Sequence, residues 1–271
     1  MYSSEELRLQ LEQLQAPAGS IVLMHASMRA IGPVQGGAEG LLALLMEYFT
    51  REGGLFCVPT HTWYNLGTPI TMDMTADDAN VGILPSVALR SGRGIRSESP
   101  VHSMVVFGDR DRAMDFVRDE PFIRSSTAPE SCYGKLYTQG GFVLLAGVAQ
   151  NRNTYLHCVE EILGIPDRLA DTPTHTAVRR PSGEIVERDI FLHHTSITRD
   201  ISSRYVKFDT PFRYHRCIRD GFLGNAPAQL CDARKMKETV ERILCGSGGI
   251  DPLLDEKPIP QKWYCVPEKM S

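Results

Sequence analysis

The chain opens on SSEELRLQLEQL, where Leu7, Leu11 and Leu14 fall on one stripe of a 3.6-residue repeat. Ser3 with Glu6 three positions later has the form of a capping box, so a helix is predicted to about Gln15. APAG ends it. The run SIVLMHAS, short and continuously apolar between Gly19 and Arg29, predicts a buried strand whose end carries His25 and Ser27 into the loop IGPVQGG. AEGLLALLMEYF is helical from Ala38 to Phe49 and is stopped by REGG. GLFCVPTHTW then reads as a second buried strand, giving a strand–loop–helix–strand unit of the parallel, right-handed type. YNLGTPITMDMTADDANVG has no periodicity and predicts a long surface loop. ILPSVALRS reads as a short helix, SMVVFG as a third strand, RDRAMDFVRD as a helix and GGFVLLAGV as a fourth strand leading into a helix over NTYLHCVEE.

Beyond Pro166 the texture changes. AVRRPSGEIVERDIFLHH alternates apolar and polar residues around Pro181-Ser182-Gly183, a hairpin signal, and CDARKMKETVERIL predicts the last helix. These patterns predict a mixed α/β fold: a largely parallel central sheet flanked by helices, with an antiparallel C-terminal addition. No repeat or linker interrupts it, so residues 1–271 are expected to form a single domain. Its core would span about 21–165, and the addition with its helix about 166–245.

Composition narrows the class. With 271 residues, 42% hydrophobic and 23% charged, the chain has the material for a large core and not the composition of a disordered or fibrous protein. The 29 Lys and Arg against 33 Asp and Glu leave a formal charge of −4 without a basic block, so no nucleic-acid partner is expected. Seven scattered cysteines with no C-x-x-C spacing suit reduced thiols in a cytoplasm, and neither a signal segment nor a membrane-length apolar run is seen. The partner expected is a small molecule, with no membrane involved. Whether the chain works as a monomer or a homodimer is left open.

Polar groups collect at strand ends. His25 and Ser27, then T-H-T-W at 60–63, then His157 and Glu160 would lie along one rim, where open α/β sheets bind ligands. RSESPVHS adds Arg96, Ser97, His102 and Ser103, donors suited to phosphate or amide oxygens. Trp63 and Tyr64 are a candidate platform for a sugar ring or a cation, with Asp73, Asp77 and Asp78 to counter positive charge. His157 and Glu160, three apart on a helix, share a face, although that spacing taken alone favours a structural or surface pair. Cys158 between them points about 100° away and reads as a packed thiol.

VLMHASMRAIGPVQGG, CVPTHTW, RSESPVHSMVVFG, VLLAGVAQNRNTYLHCVEE and FLGNAPAQLCDARKM follow one another as successive signatures, and through them the chain resembles the aminoglycoside N(3)-acetyltransferase family from about Ile21 to about Val240. The resemblance implies an acyltransferase of the antibiotic-resistance type, moving acetyl from acetyl-CoA to an amino group, the 3-amino group of an aminoglycoside. It implies His157 as catalytic base and Glu160 as its partner. Asn153 and Thr154, leading into their helix, join Trp63, Tyr64 and Asp73 on the substrate side. His25, Ser27, Arg29, Arg96, Ser97, His102 and Ser103 fall to acetyl-CoA. Two departures stand out: Ala26 replaces a serine of the family's His-Ser-Ser, and Ser99 stands where the family often has a histidine before the proline.

The chemistry asks for such a pair. An alkylammonium has a pKa near ~10, so a base must take its proton before nitrogen attacks a thioester, and histidine at about 6.5 can accept one near neutrality. Direct transfer needs no acyl-enzyme. Other readings are acetylation of another small amine, a CoA-binding sensor, and a metal-assisted hydrolase recruiting His25, His61, His102, His175, His193 and His194. The last lacks any H-E-x-x-H spacing, so no metal is expected.

Overall fold

A computed structural model describes residues 1–76 and 78–265. The strands are β1 (Ile21–Ala26), β2 (Leu55–Pro59), β3 (Met72–Asp73), β4 (Ile95–Arg96), β5 (Met104–Phe107), β6 (Phe142–Ala146), β7 (Thr174–Arg179), β8 (Ile185–Ile190), β9 (Ile218–Leu223) and β10 (Ala226–Asp232). The helices are α1 (Ser4–Gln13), α2 (Met28–Ile31), α3 (Gly37–Phe49), α4 (Ile83–Arg90), α5 (Arg110–Val117), α6 (Cys132–Thr138), α7 (Tyr155–Ile162), α8 (Asp209–Tyr214) and α9 (Ala233–Ser247). The capping box of α1 forms as the sequence predicts, Ser3 accepting from Glu6 N and Glu6 reaching back to Ser3 N.

Seven strands make one sheet in the order β4-β5-β2-β1-β6-β10-β9, and β3-β7-β8 make a second. In β1, Val22 and Met24 join the core under α1, α3 and α4, whereas Ile21 and Leu23 join the core under α5, α6, α7 and α9. Cover on both faces is why these strands read as unbroken apolar runs. Each fully buried Leu or Phe is worth about 1.5–3 kcal/mol, so both cores hold the rim in place.

The mixed α/β class stands, and parallel pairing is confined to the middle. β1 pairs parallel with β2 and β6, while β5, β4, β10 and β9 continue the sheet antiparallel. Because β5 runs against β2, with Pro59 opposite Met104, the β4–β5 connection at 97–103 falls at the carboxyl end of β2. RSESPVHS therefore reaches the same rim as His25 and Thr60.

The hairpin around Pro181 forms as β7 and β8, from Thr174↔Ile190 to Arg179↔Ile185. The stretch expected as a structureless loop instead contributes β3, parallel to β7 with Met72↔Val178 and Asp73↔Arg179. β9 and β10 extend the main sheet, and only the hairpin with β3 stands apart from it. Neither α6 nor a 3₁₀ segment over Ile201–Phe208 is among the elements predicted from the sequence. Gly147 follows β6 at φ 68°, where an added Cβ would lie 2.4 Å from the Ala30 methyl, so the chain turns into the α7 approach only with glycine there. Among the described residues, no helix is long and apolar enough to cross a membrane.

Candidate active site

α7 leaves the rim after β6. Tyr155, Leu156, Cys158 and Val159 bury in the core, and the Tyr155 hydroxyl donates to Ala233 O at 2.8 Å. That packing sets the rotation of the helix and leaves the His157 side chain 14% exposed, with Glu160 three residues on at 2%. The two do not bond directly. His157 Nδ1 lies 3.7 Å from Glu160 Oε2, and the Tyr205 hydroxyl stands between them, 2.8 Å from Nδ1 and donating to Oε2. Glu160 Oε1 accepts from Arg168 Nε at 2.5 Å, and Arg168 Nη2 reaches Asp251 at 2.6 Å. Burial and the adjacent Glu160 charge push the Tyr205 phenol well above its usual value, so it stays protonated as a donor.

A hydroxyl has one proton. Tyr205 gives that proton to the carboxylate, so its oxygen accepts from Nδ1–H, and the neutral imidazole keeps its basic lone pair on Nε2. Cys158 Sγ turns inward to 3.8 Å from Ala128 O, and burial raises its thiol well above the ordinary range, which suits packing rather than nucleophilic work.

Other rings gather around His157. His193 lies tilted against it with centroids 4.2 Å apart, His102 lies 5.4 Å from His193, and His61 lies 4.6 Å from His102 and 4.9 Å from Trp63. Enclosure holds His61, His102 and His193 well below the usual histidine value, and burial lowers His25 to about 4. The Trp63 indole N–H donates to His102 Nε2 at 3.3 Å. Among the described residues, no group of three or more His, Cys, Asp or Glu is placed to hold a metal ion.

Two cavities flank His157. One of about 360 Å³ is lined by His25, His61, Trp63, His102, Arg152, Asn153, Thr154 and His157. The other, of about 260 Å³, is lined by Trp63, His102, His157, His193, Arg199 and Asp200. Trp63, His102 and His157 thus form the partition. In the larger cavity Asn153 donates to Gln150 at 2.9 Å, while its Oδ1, like His25 Nε2, is buried without a hydrogen-bond partner among the described residues.

Several sequence-predicted residues are engaged elsewhere. Ser27 Oγ caps α2 by accepting from Ala30 N, and Arg29 is exposed on that helix. Ser103 Oγ donates to Thr60 O at 2.7 Å, Ser97 Oγ accepts from Met104 N at 3.0 Å, and Arg96 Nη1 and Nη2 reach Asp73 O and Thr60 O. These three side chains tie β2, β3, β4 and β5 together and line neither cavity beside His157. Asp73 accepts from Thr75 and Ala76 and pairs with Arg179 at 3.1 Å, which places it in the second sheet rather than beside His157. Asp78 pairs with Arg90 and accepts at its backbone oxygen from Tyr64, whose ring is exposed outside both cavities. Asp77 lies outside the described residues. The residues that sequence reasoning missed are Tyr205, Arg168 and Asp251. Ile201, Tyr205 and Phe208 share a stripe that the sequence reading passed over, whereas Arg168 and Asp251 lie outside regular elements, and only long-range bonds bring the three to α7.

The model of the family described as aminoglycoside 3-N-acetyltransferase matches residues 23–244. The chain is 26% identical over 253 residues to aminoglycoside N(3)-acetyltransferase IV of a Salmonella species, covering 92% of this chain and 88% of that one. It is 23% identical over 266 residues to aminoglycoside N(3)-acetyltransferase III of Enterobacter cloacae, covering 86% and 88%. Among solved structures, a histidine-to-alanine variant of AAC(3)-IVa in complex with a gentamicin superposes with a TM-score of 0.75 at 23% identity, covering 90% of this chain and 88% of that one. AAC-IIIb in a binary complex with CoASH superposes with a TM-score of 0.75 at 22% identity, covering 88% and 94%.

Proposed function

Since this chain belongs to the aminoglycoside 3-N-acetyltransferase family, we propose that it passes the acetyl group of acetyl-CoA directly to an amino group of an aminoglycoside, its 3-amino group, with His157 as general base. The observation that carries this reading is the Tyr205 hydroxyl between His157 Nδ1 and Glu160, which leaves Nε2 as the proton acceptor. The amine nitrogen attacks the thioester carbon, its proton passes to Nε2, the C–S bond breaks, and the thiolate leaves. The imidazolium formed meanwhile is stabilised by Glu160 through the phenol. Arg168 in turn offsets the desolvation of that carboxylate.

The partition supports the division of substrates. The 360 Å³ cavity offers Arg152 toward phosphate and the unpartnered Asn153 Oδ1 and His25 Nε2 toward amide groups, so it suits the acyl-bearing arm of acetyl-CoA. The 260 Å³ cavity, on the other side of His157 and with Asp200 beside Arg199 in its wall, is left for the amine-bearing ring. All seven cysteines are free, five of them buried, which supports a reducing cytoplasmic setting. The test is thiol release from acetyl-CoA with a panel of aminoglycosides and small amines, with product masses. Release that depends on an aminoglycoside, with one added acetyl, is expected. Release with only a small amine would keep the mechanism and change the substrate.

A further inference from the structure

Arg168 stands between two carboxylates. Its Nε donates to Glu160 Oε1 at 2.5 Å and its Nη2 to Asp251 Oδ2 at 2.6 Å, and the side chains of Arg168, Glu160 and Asp251 are 3%, 2% and 10% exposed. A strap of chain holds Asp251 there. Asp251 Oδ1 accepts from Leu253 N at 2.8 Å, Arg204 Nη1 donates to Leu253 O and Leu254 O, and Lys207 Nζ donates to Pro252 O and Asp255 O. Arg204 and Lys207 lie on either side of Tyr205 in the 3₁₀ segment Ile201–Phe208. One segment thus presents the phenol to His157 and holds the strap that presents Asp251 to Arg168.

We propose that Asp251 is a positioning residue for the base: by answering the charge of Arg168, it leaves the charge of Glu160 to stabilise the His157 imidazolium. This rests on the acetyl-transfer reading and deepens it. Glu160 and Arg168 by themselves make a neutral pair, which offers little attraction to an imidazolium beyond a neutral phenol. With Asp251 there are two carboxylates against one guanidinium, and the negative charge in excess acts where positive charge forms as the amine attacks. Shelter from water keeps that field from being damped as it would be at the surface.

The neighbouring charges leave this balance in place. Burial works against the Arg168 guanidinium, but its two carboxylates hold it above its usual value, so it stays charged. Lys207, the other cation whose field meets Asp251, pairs with Asp255 at 3.5 Å. His157 is faced by Tyr205, Glu160, Glu161, His61, His102 and His193, and across the two cavities by Arg152, Arg199 and Asp200. Replacing Asp251 alters none of these side chains, so a difference between two pH profiles reports the aspartate.

Asp251→Asn keeps the shape and removes the charge. The acid limb of kcat against pH should move to lower pH by about half a pH unit or more, with the plateau lowered roughly threefold or more and the acetyl-CoA KM unchanged. Asp251→Glu should bring the limb back towards wild type. The ¹⁵N titration midpoint of the His157 ring, which needs no substrate, should move in the same direction as the limb. A limb and a ring midpoint that both stay in place overturn the proposal even where kcat or stability falls, because a merely structural bond would lower those and leave the basicity of His157 alone. Should the asparagine variant fail to fold, Asp251→Ser, which admits a water beside Arg168, is read by the same two measurements. A wild type that acetylates no amine counts against the acetyl-transfer reading, and the ring midpoint still decides the role of Asp251.

Discussion

Arg168 Nε meets Glu160 Oε1 at 2.5 Å, and the two side chains are only 3% and 2% exposed. Arg168 also pairs with Asp251, whereas Glu160 without Arg168 would be a buried carboxylate left with the Tyr205 donor. Arg168→Ala should therefore destabilise the fold by about 3–5 kcal/mol, read as a lower denaturant midpoint with little change in slope. A loss under about 1 kcal/mol would mean that water reaches Glu160.

Removing the base should act on turnover. His157→Ala is expected to lower kcat by roughly 10²–10⁴ with acetyl-CoA affinity nearly unchanged. Steady-state kinetics beside calorimetric CoA titration separate the two, and near-wild-type turnover would exclude His157 from the chemistry.

Tyr205→Phe keeps the ring, leaves Glu160 Oε2 without its phenol donor and frees His157 to change tautomer. An unmet buried acceptor costs about 1–3 kcal/mol, so kcat should fall roughly 10–100-fold. A shift of the His157 ring nitrogens in ¹⁵N NMR should accompany it. Unchanged ring signals would show that the phenol does not set the tautomer.

Ser97 and Ser103 are bonded within the sheet, to Met104 N and Thr60 O. Alanine at either position should lower stability by about 1 kcal/mol per lost bond and leave the acetyl-CoA KM in place. A selective rise in that KM would return these hydroxyls to the cofactor site.

Acid should loosen the histidine cluster. In the folded state His25 titrates at about 4, below the ~6.5 of an unfolded histidine, so between those values the unfolded chain binds more protons. Its contribution is complete above about 6.5 and is lost as pH falls towards about 4, roughly 3 kcal/mol from this ring alone. His61, His102 and His193 shift the same way. Urea midpoints at about pH 7.5 and 5 should differ accordingly, and His25→Gln should narrow the gap. Identical midpoints would show that the rings ionise as freely in the folded state as in the unfolded one.

Apolar periodicity made β1, α3, β2, β6, α7 and the β7–β8 hairpin legible, because each buries a face whose spacing is local. It did not reveal the direction of SMVVFG, since a strand covered on both faces reads alike parallel or antiparallel. Nor did it reveal β3, two residues whose strand partner lies 106 positions away in β7. Arg96, Ser97 and Ser103 showed themselves as hydrogen-bonding groups, but their partners, Thr60 O for Arg96 and Ser103 and Met104 N–H for Ser97, depend on how β2 and β4 meet β5. The bridge between His157 and Glu160 was hidden for the same reason. ISSRYVKF does place Ile201, Tyr205 and Phe208 on one helical stripe, but nothing in that spacing says that the phenol of its middle member meets His157 and Glu160.

The spacing of that bridge along the chain also sets a temporal order. Tyr205 lies 48 residues after His157, and Asp251 lies 83 after Arg168. A chain made from its amino terminus exposes the imidazole well before the phenol that orients it, and the arginine before the aspartate that helps balance its charge. During synthesis the three parallel strands can close while the base is still unaligned, so a nascent chain holds the architecture before it holds the chemistry.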